Sequence, residues 1–86
     1  MEYTADMKNR LRRIEGQIRG VLAMMEEKKE CREVVTQLAA IRSAVDRVTG
    51  LVVGINLENC IREELSKGNN PEQVIKEAVE LLVKSR

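Results

Sequence analysis

An all-α fold follows from three observations. Apolar residues recur at steps of three and four over two long stretches, and no run alternates with the period of two that a strand requires. Aliphatic and small residues supply nearly all of the 43% hydrophobic content, Tyr3 being the only aromatic, beside 34% charged residues. That balance belongs to helices with one apolar and one wet face. At 86 residues the chain makes a single domain, 1–86, and buries only about 60 to 65% of the surface its unfolded form exposes, so association with further copies would help it.

The first helix is set by Met7, Leu11, Ile14, Ile18, Val21 and Met25, an unbroken seam for packing on other helices. Between Met7 and Gly20 stand five basic residues and one acid, a local charge of +4 in a chain of net +1. At about 100° per residue, Arg10, Arg13 and Gln17 fall on one flank of the seam and Lys8, Arg12 and Arg19 on the other. On their own these stripes read equally as solvated flanks that shield the seam with their alkyl stems.

A charged junction, "EEKKE", precedes the second pattern: Cys31, Val34, Leu38, Ile41, Val45, Val48, Val52 and Ile55. No proline interrupts it, so the spacing predicts one helix from about residue 30 to about residue 65. Gly50 and Gly54, each costing about 1 kcal/mol against alanine, mark either a close helix approach or a kink. In "SKGNNPEQ", Gly68 suits a left-handed helix end, Asn70 an N-cap and Pro71 the first helical position, with Gln73 closing a capping box. A short third helix follows, its apolar face built from Val74, Ile75, Ala78, Val79, Leu81 and Leu82.

The longest uncharged run, residues 48–57, is far short of the ~20 residues of a membrane span, and the N-terminus lacks a charged-then-apolar signal pattern. A cytoplasmic protein with no membrane partner is expected. Two cysteines in such a setting are thiols kept reduced or used chemically, rather than a permanent structural disulfide.

Cys31 and Cys60 are the only thiols, and the chain contains no histidine. Along a continuous helix they stand ~43 Å apart and cannot meet. Folding the helix back at Gly50 to Gly54 places Cys60 opposite about residue 44, which does not unite them either. Antiparallel pairing of the long helix with its copy does, when the crossing centres near Val45 and Asp46, and a two-fold dimer then has two equivalent Cys31–Cys60 pairs. Helical phase places both thiols on a face shared with Val34, Leu38 and Val45. An inert buried pair and a reactive pair both stay open, since cysteine is among the residues most often buried.

The absence of histidine excludes Cys–His nucleophilic catalysis, and there is no acid–base pair, phosphate loop or cofactor motif, so neither an enzyme nor a bound cofactor is expected. Two thiolates fall short of the four ligands of structural zinc, although they suit Cu(I) by softness. Thiol chemistry requires no further ligand. A thiolate near a helix N-terminus beside Arg32 gains nucleophilicity, and attack by one cysteine with resolution by the other joins subunits through a disulfide or a polysulfide chain.

The segments "NRLRRIEGQIRGV" (9–21), "CREVVTQLAAIRSAVDR" (31–47) and "NLENC" (56–60) resemble the copper-sensitive operon repressor (CsoR) family over nearly the whole chain. The resemblance implies a three-helix protomer with a long central helix, an antiparallel dimer forming a four-helix bundle, and a dimer of dimers, a homotetramer that binds operator double-stranded DNA. It places the sensing site between subunits and Arg10 and Arg47 toward DNA, with Arg13 and Gln17 joining them as neighbours on the flank of Arg10.

Where the family's copper sensors carry Cys, His and Cys, this chain reads Cys31, Asn56 and Cys60. Both thiols without the imidazole is the pattern of the CsoR-like sulfurtransferase repressor (CstR) subgroup, which responds to persulfides and polysulfides. The expectation is a repressor released by Cys31–Cys60 crosslinking, with no metal ligand at Asn56. The alternatives are a Cu(I)-responsive repressor using two thiolates, and a helical scaffold protein with inert cysteines.

Overall fold

Three helices are found, α1 (Ala5–Glu26), α2 (Cys31–Ser66) and α3 (Glu72–Lys84), with no strand among the described residues of the computed structural model, 2–84. Met1, Ser85 and Arg86, which the single-domain expectation includes, lie outside them. The order and the long central helix agree with the periodicity. Two compact units divide the chain inside α2, one holding residues 4–48 and the other residues from Thr49 onward together with the extreme N-terminus.

In the first unit, α1 and the opening half of α2 form a helical hairpin. Its core is a ladder at seven-residue steps: Met7, Ile14 and Val21 on α1 are buried, as are Ile41 and Val48 on α2, with Val34 half-buried one heptad earlier. Each such side chain contributes about 1.5 to 3 kcal/mol by leaving water. The α1 seam, expected to be covered as a whole, is covered on alternate steps only. Leu11, Ile18 and Met25 stay about half exposed, as do Val35, Leu38 and Val45 on α2. A single hairpin buries one edge of each stripe and leaves the other edge exposed.

Helix α1 starts at an N-cap not anticipated from the sequence: the Met7 N–H donates to the Thr4 hydroxyl at 3.2 Å. It ends in a Schellman turn, Lys29 N–H donating to the Met24 carbonyl at 3.0 Å and Lys28 N–H to that of Met25 at 3.1 Å. The end of α2 repeats the arrangement, from Asn69 to Glu64 at 2.9 Å and from Gly68 to Leu65 at 3.0 Å. At the left-handed position the second turn has Gly68 at φ 77°, as expected, whereas the first has Lys28 at φ 59°. A Cβ there costs about 1 kcal/mol. Lys28→Gly is therefore expected to stabilise the fold by up to about 1 kcal/mol, seen as a higher urea midpoint at unchanged slope.

In the second unit α2 runs through Gly50 and Gly54 without a break. A Cβ at either glycine would meet nothing within 4 Å, so within this chain neither marks a close approach. Asn70 caps α3 by accepting from the Glu72 N–H at 3.0 Å, and the Pro71 carbonyl accepts from the Ile75 N–H at 3.2 Å. Gln73 does not reach back to close a capping box; its amide donates to Glu77 at 3.4 Å. Only Ala78 of the α3 apolar face is buried, while Ile75, Val79, Leu81 and Leu82 remain exposed.

Candidate functional site

The hairpin brings together all four residues expected to face DNA, Arg10 and Arg47 from the resemblance and Arg13 and Gln17 from their place on the same flank. Arg10, Arg13 and Gln17 lie at steps of three and four on α1 and face Ala40, Ala44 and Arg47 on α2, around a cleft of about 280 Å³ floored by Ile14 and Val48. The buried heptad ladder fixes the two helices in register, which aligns the flanks. Alanine at positions 40 and 44 keeps the cleft open between long cationic side chains.

Arg10 donates from Nε to Asp6 at 3.0 Å, one turn back, and both side chains are exposed. Such a pair contributes little and is easily exchanged for another anion. Arg13 and Arg47 have no ion pair among the described residues. Three guanidiniums thus converge with a single exposed carboxylate in attendance, an arrangement suited to phosphate oxygens. The opposite stripe is engaged within its own helix: Arg12 donates to Asn9 at 3.1 Å and Arg19 pairs with Glu15 at 3.8 Å.

A second cleft, of about 390 Å³, opens where α1 gives way to α2, lined by Met24, Lys29, Arg32, Glu33, Thr36 and Gln37. Of these, the sequence singles out only Arg32, as the neighbour of Cys31, and none as a DNA contact. The signal that finds them is spacing: Arg32, Thr36, Ala40, Ala44 and Arg47 follow each other by four and three along one flank of α2.

The two thiols belong to different units, at opposite ends of the same helix. Cys31 is the first residue of α2 and is exposed. The residues that follow it at helical steps on its own face are Val35, Leu38 and Val45, the solvent-facing apolar edge. The arginine flank lies on the other side of α2. Cys60 is half-buried in the second unit, and its Sγ donates to Asn56 Oδ1 at 3.9 Å, a weak sulfur hydrogen bond across one turn.

The Asn56 amide thus stands beside Cys60, at the position where the resemblance would place a third donor. An amide oxygen is a hard donor, unsuited to a soft metal held by thiolates. The chain has no imidazole, and among the described residues no three or more Cys, Asp or Glu side chains are grouped to hold an ion. The donor set does not fit a three-ligand sulfur and nitrogen site.

Comparison with known proteins returns one coherent group. The family described as "Metal-sensitive transcriptional repressor" matches residues 3–84. The uncharacterized protein YrkD of Bacillus subtilis (strain 168) is 64% identical over 63 residues, 73% of this chain and 100% of that protein. The copper-sensing transcriptional repressor RicR of Mycobacterium tuberculosis (strain ATCC 25618 / H37Rv) is 39% identical over 69 residues, 77% of this chain and 72% of that one. Among solved structures, the nickel-responsive transcriptional regulator InrS superposes with a TM-score of 0.80 at 42% identity, covering 96% of this chain and 92% of its own.

Proposed function

The chain belongs to the metal-sensitive transcriptional repressor family, the group its CsoR-like segments resemble, and on that premise we propose that its inducer is reactive sulfur rather than a metal ion. It is a transcriptional repressor, like its relatives, and not an enzyme. In the proposed mechanism the reduced protein binds operator DNA through the cleft of Arg10, Arg13, Gln17 and Arg47. It leaves the operator when Cys31 is joined to Cys60 of a neighbouring subunit. The observation that carries the reading is the pairing of Cys60 with Asn56 in a chain with no histidine, which keeps both thiols and removes the third donor.

Assembly is part of the proposal. The exposed edges of α1 and α2 (Leu11, Ile18 and Met25 with Val35, Leu38 and Val45) form an apolar stripe of the kind that drives helix association. Cys31 lies on the same face of α2. Residues 31 and 60 are symmetric about the 45–46 step, so antiparallel pairing of two α2 helices sets each Cys31 against the other copy's Cys60. Two such dimers make the tetramer.

The chemistry balances without any metal. The Cys31 thiolate attacks the terminal sulfur of a low-molecular-weight persulfide, R–S–SH; the new Cys31–S–SH bond forms, the donor S–S bond breaks, and the thiolate RS⁻ leaves. The Cys60 thiolate of the neighbouring subunit then attacks Cys31 Sγ, expelling HS⁻ and leaving a disulfide. Two cysteines are oxidised and the transferred sulfur is reduced to sulfide. Where Cys60 is also persulfidated, attack of the Cys31 persulfide on Cys60 Sγ expels HS⁻ and leaves a trisulfide.

Treating reduced protein with a persulfide and measuring the mass without reductant should give an intersubunit Cys31–Cys60 link together with loss of operator binding. Full operator affinity in the crosslinked protein would overturn the reading. A copper response through two thiolates is the second reading, favoured by the likeness to RicR, and operator release at tightly buffered Cu(I) would select it. Asn56→His is expected to tighten Cu(I) binding, measured by competition with a chelator, because it supplies the soft nitrogen donor that the amide lacks.

A further inference from the structure

The second cleft, at the junction of α1 and α2, shares a flank with the first. On α2 the lining residues Arg32, Thr36, Ala40, Ala44 and Arg47 fall at steps of four, four, four and three; on α1, Arg10, Arg13, Gln17 and Met24 fall at steps of three, four and seven. Both clefts are therefore parts of one furrow along the hairpin of residues 4–48, with the three arginines at one end and Lys29 with Arg32 at the other. Gly20, midway on the α1 side, leaves open space where a side chain would stand.

We propose that the DNA backbone follows this furrow, and that Lys29 and Arg32, with the Gln37 amide as a hydrogen-bonding neighbour, form a second phosphate-binding cluster of the repressor. This extends the interface proposed above and rests on it. Neither Lys29 nor Arg32 has an ion pair among the described residues, so both charges are available to an external anion. Arg32 and Arg47 are 15 residues apart on one helix, ~22 Å along its axis. That span is about two-thirds of a turn of B-DNA, within which a duplex offers many phosphates. Glu33 is the one carboxylate lining the second cleft; it opposes an anionic occupant and gives the proposal a test in the gaining direction.

The position of the cluster also bears on induction. Arg32 follows Cys31 directly and is turned about 100° from it around α2, toward the flank of Arg47, so the first turn of that helix carries the sensing thiol on its assembly face and a phosphate contact next to it. A crosslink that shifts this turn displaces a DNA contact in the same movement.

The experiment is operator binding as a function of salt, using the full-length reduced protein and variants whose thermal unfolding matches the parent. A double variant, Lys29→Gln with Arg32→Gln, is expected to lose about tenfold or more in affinity, equally for operator and unrelated duplex. Its log K against log salt slope should fall by about 0.9 for every phosphate contact removed. Glu33→Gln is expected to gain affinity, by about threefold. An unchanged slope and affinity in the double variant, with Arg47→Gln impaired in the same assay, overturns the second cluster alone. If Arg47→Gln is equally without effect, the interface proposed above fails with it.

Discussion

Replacement of Cys60 by serine is expected to leave operator affinity within about twofold of the parent and to abolish release by persulfide. The parent should lose operator affinity by about 5- to 150-fold on treatment, the range of one to three kcal/mol over which ligand-driven couplings fall. Serine keeps the shape of the side chain and gives up only a weak sulfur contact to Asn56 at 3.9 Å, so helix α2 has little reason to change, but it cannot resolve a persulfide on Cys31. The treated variant should therefore carry its added sulfur on Cys31 and remain on DNA. Cys31→Ser should also fail to respond. A variant that still leaves the operator when treated would mean that modification of one thiol suffices, and would remove the crosslink from the mechanism. Gel shift and mass under non-reducing conditions, on the same samples, separate these outcomes.

The second large effect is expected at the arginine cleft. Arg47→Gln removes an exposed guanidinium with no intramolecular ion pair, so the folded protein loses little, whereas a charge-assisted bond to phosphate contributes about 1.5 to 3 kcal/mol. The expected loss is about 10- to 150-fold in operator affinity for each copy engaged. Arg47→Lys keeps the charge but not the planar fork. Full recovery by lysine identifies a phosphate contact, while recovery on unrelated DNA without recovery on the operator identifies a contact to a base edge. Arg13→Gln should behave like Arg47→Gln, and Arg19→Gln, on the opposite stripe, should change affinity by less than about threefold.

The sequence was legible where local rules decide the outcome. The 3.6-residue period set the three helices, and the punctuation around Gly68, Asn70 and Pro71 set the break before α3, because a left-handed turn and a cap are properties of a few consecutive residues. Lys28 was not legible in that way. It holds the same left-handed position as Gly68, but a lysine carries no signal for it, and the turn is imposed by the hairpin that brings α2 back along α1.

The division of the apolar seam into a covered ladder and a solvent-facing edge was equally out of reach. Met7 and Leu11 are alike in chemistry, and only the position of the neighbouring helix distinguishes them. Composition could not choose between the two basic stripes of α1 either. The choice came from resemblance; the structure adds that the chosen stripe lines one cleft with Arg47. The proposed Lys29 and Arg32 cluster leaves no trace in composition, because those residues sit in a charge-balanced junction where neighbouring acids mask them in any count along the chain.

The exposed apolar edge that carries Cys31 has a consequence for dosage. In the proposed mechanism the counterpart of Cys31 resides on another copy and is acquired only through association, so crosslinking would be bimolecular in dilute protein and unimolecular once the copies are joined. The level at which the gene is expressed would then set how quickly a pulse of sulfur stress is registered as well as how firmly the operator is held. A cell that makes too little of the repressor would be slow to sense as well as leaky.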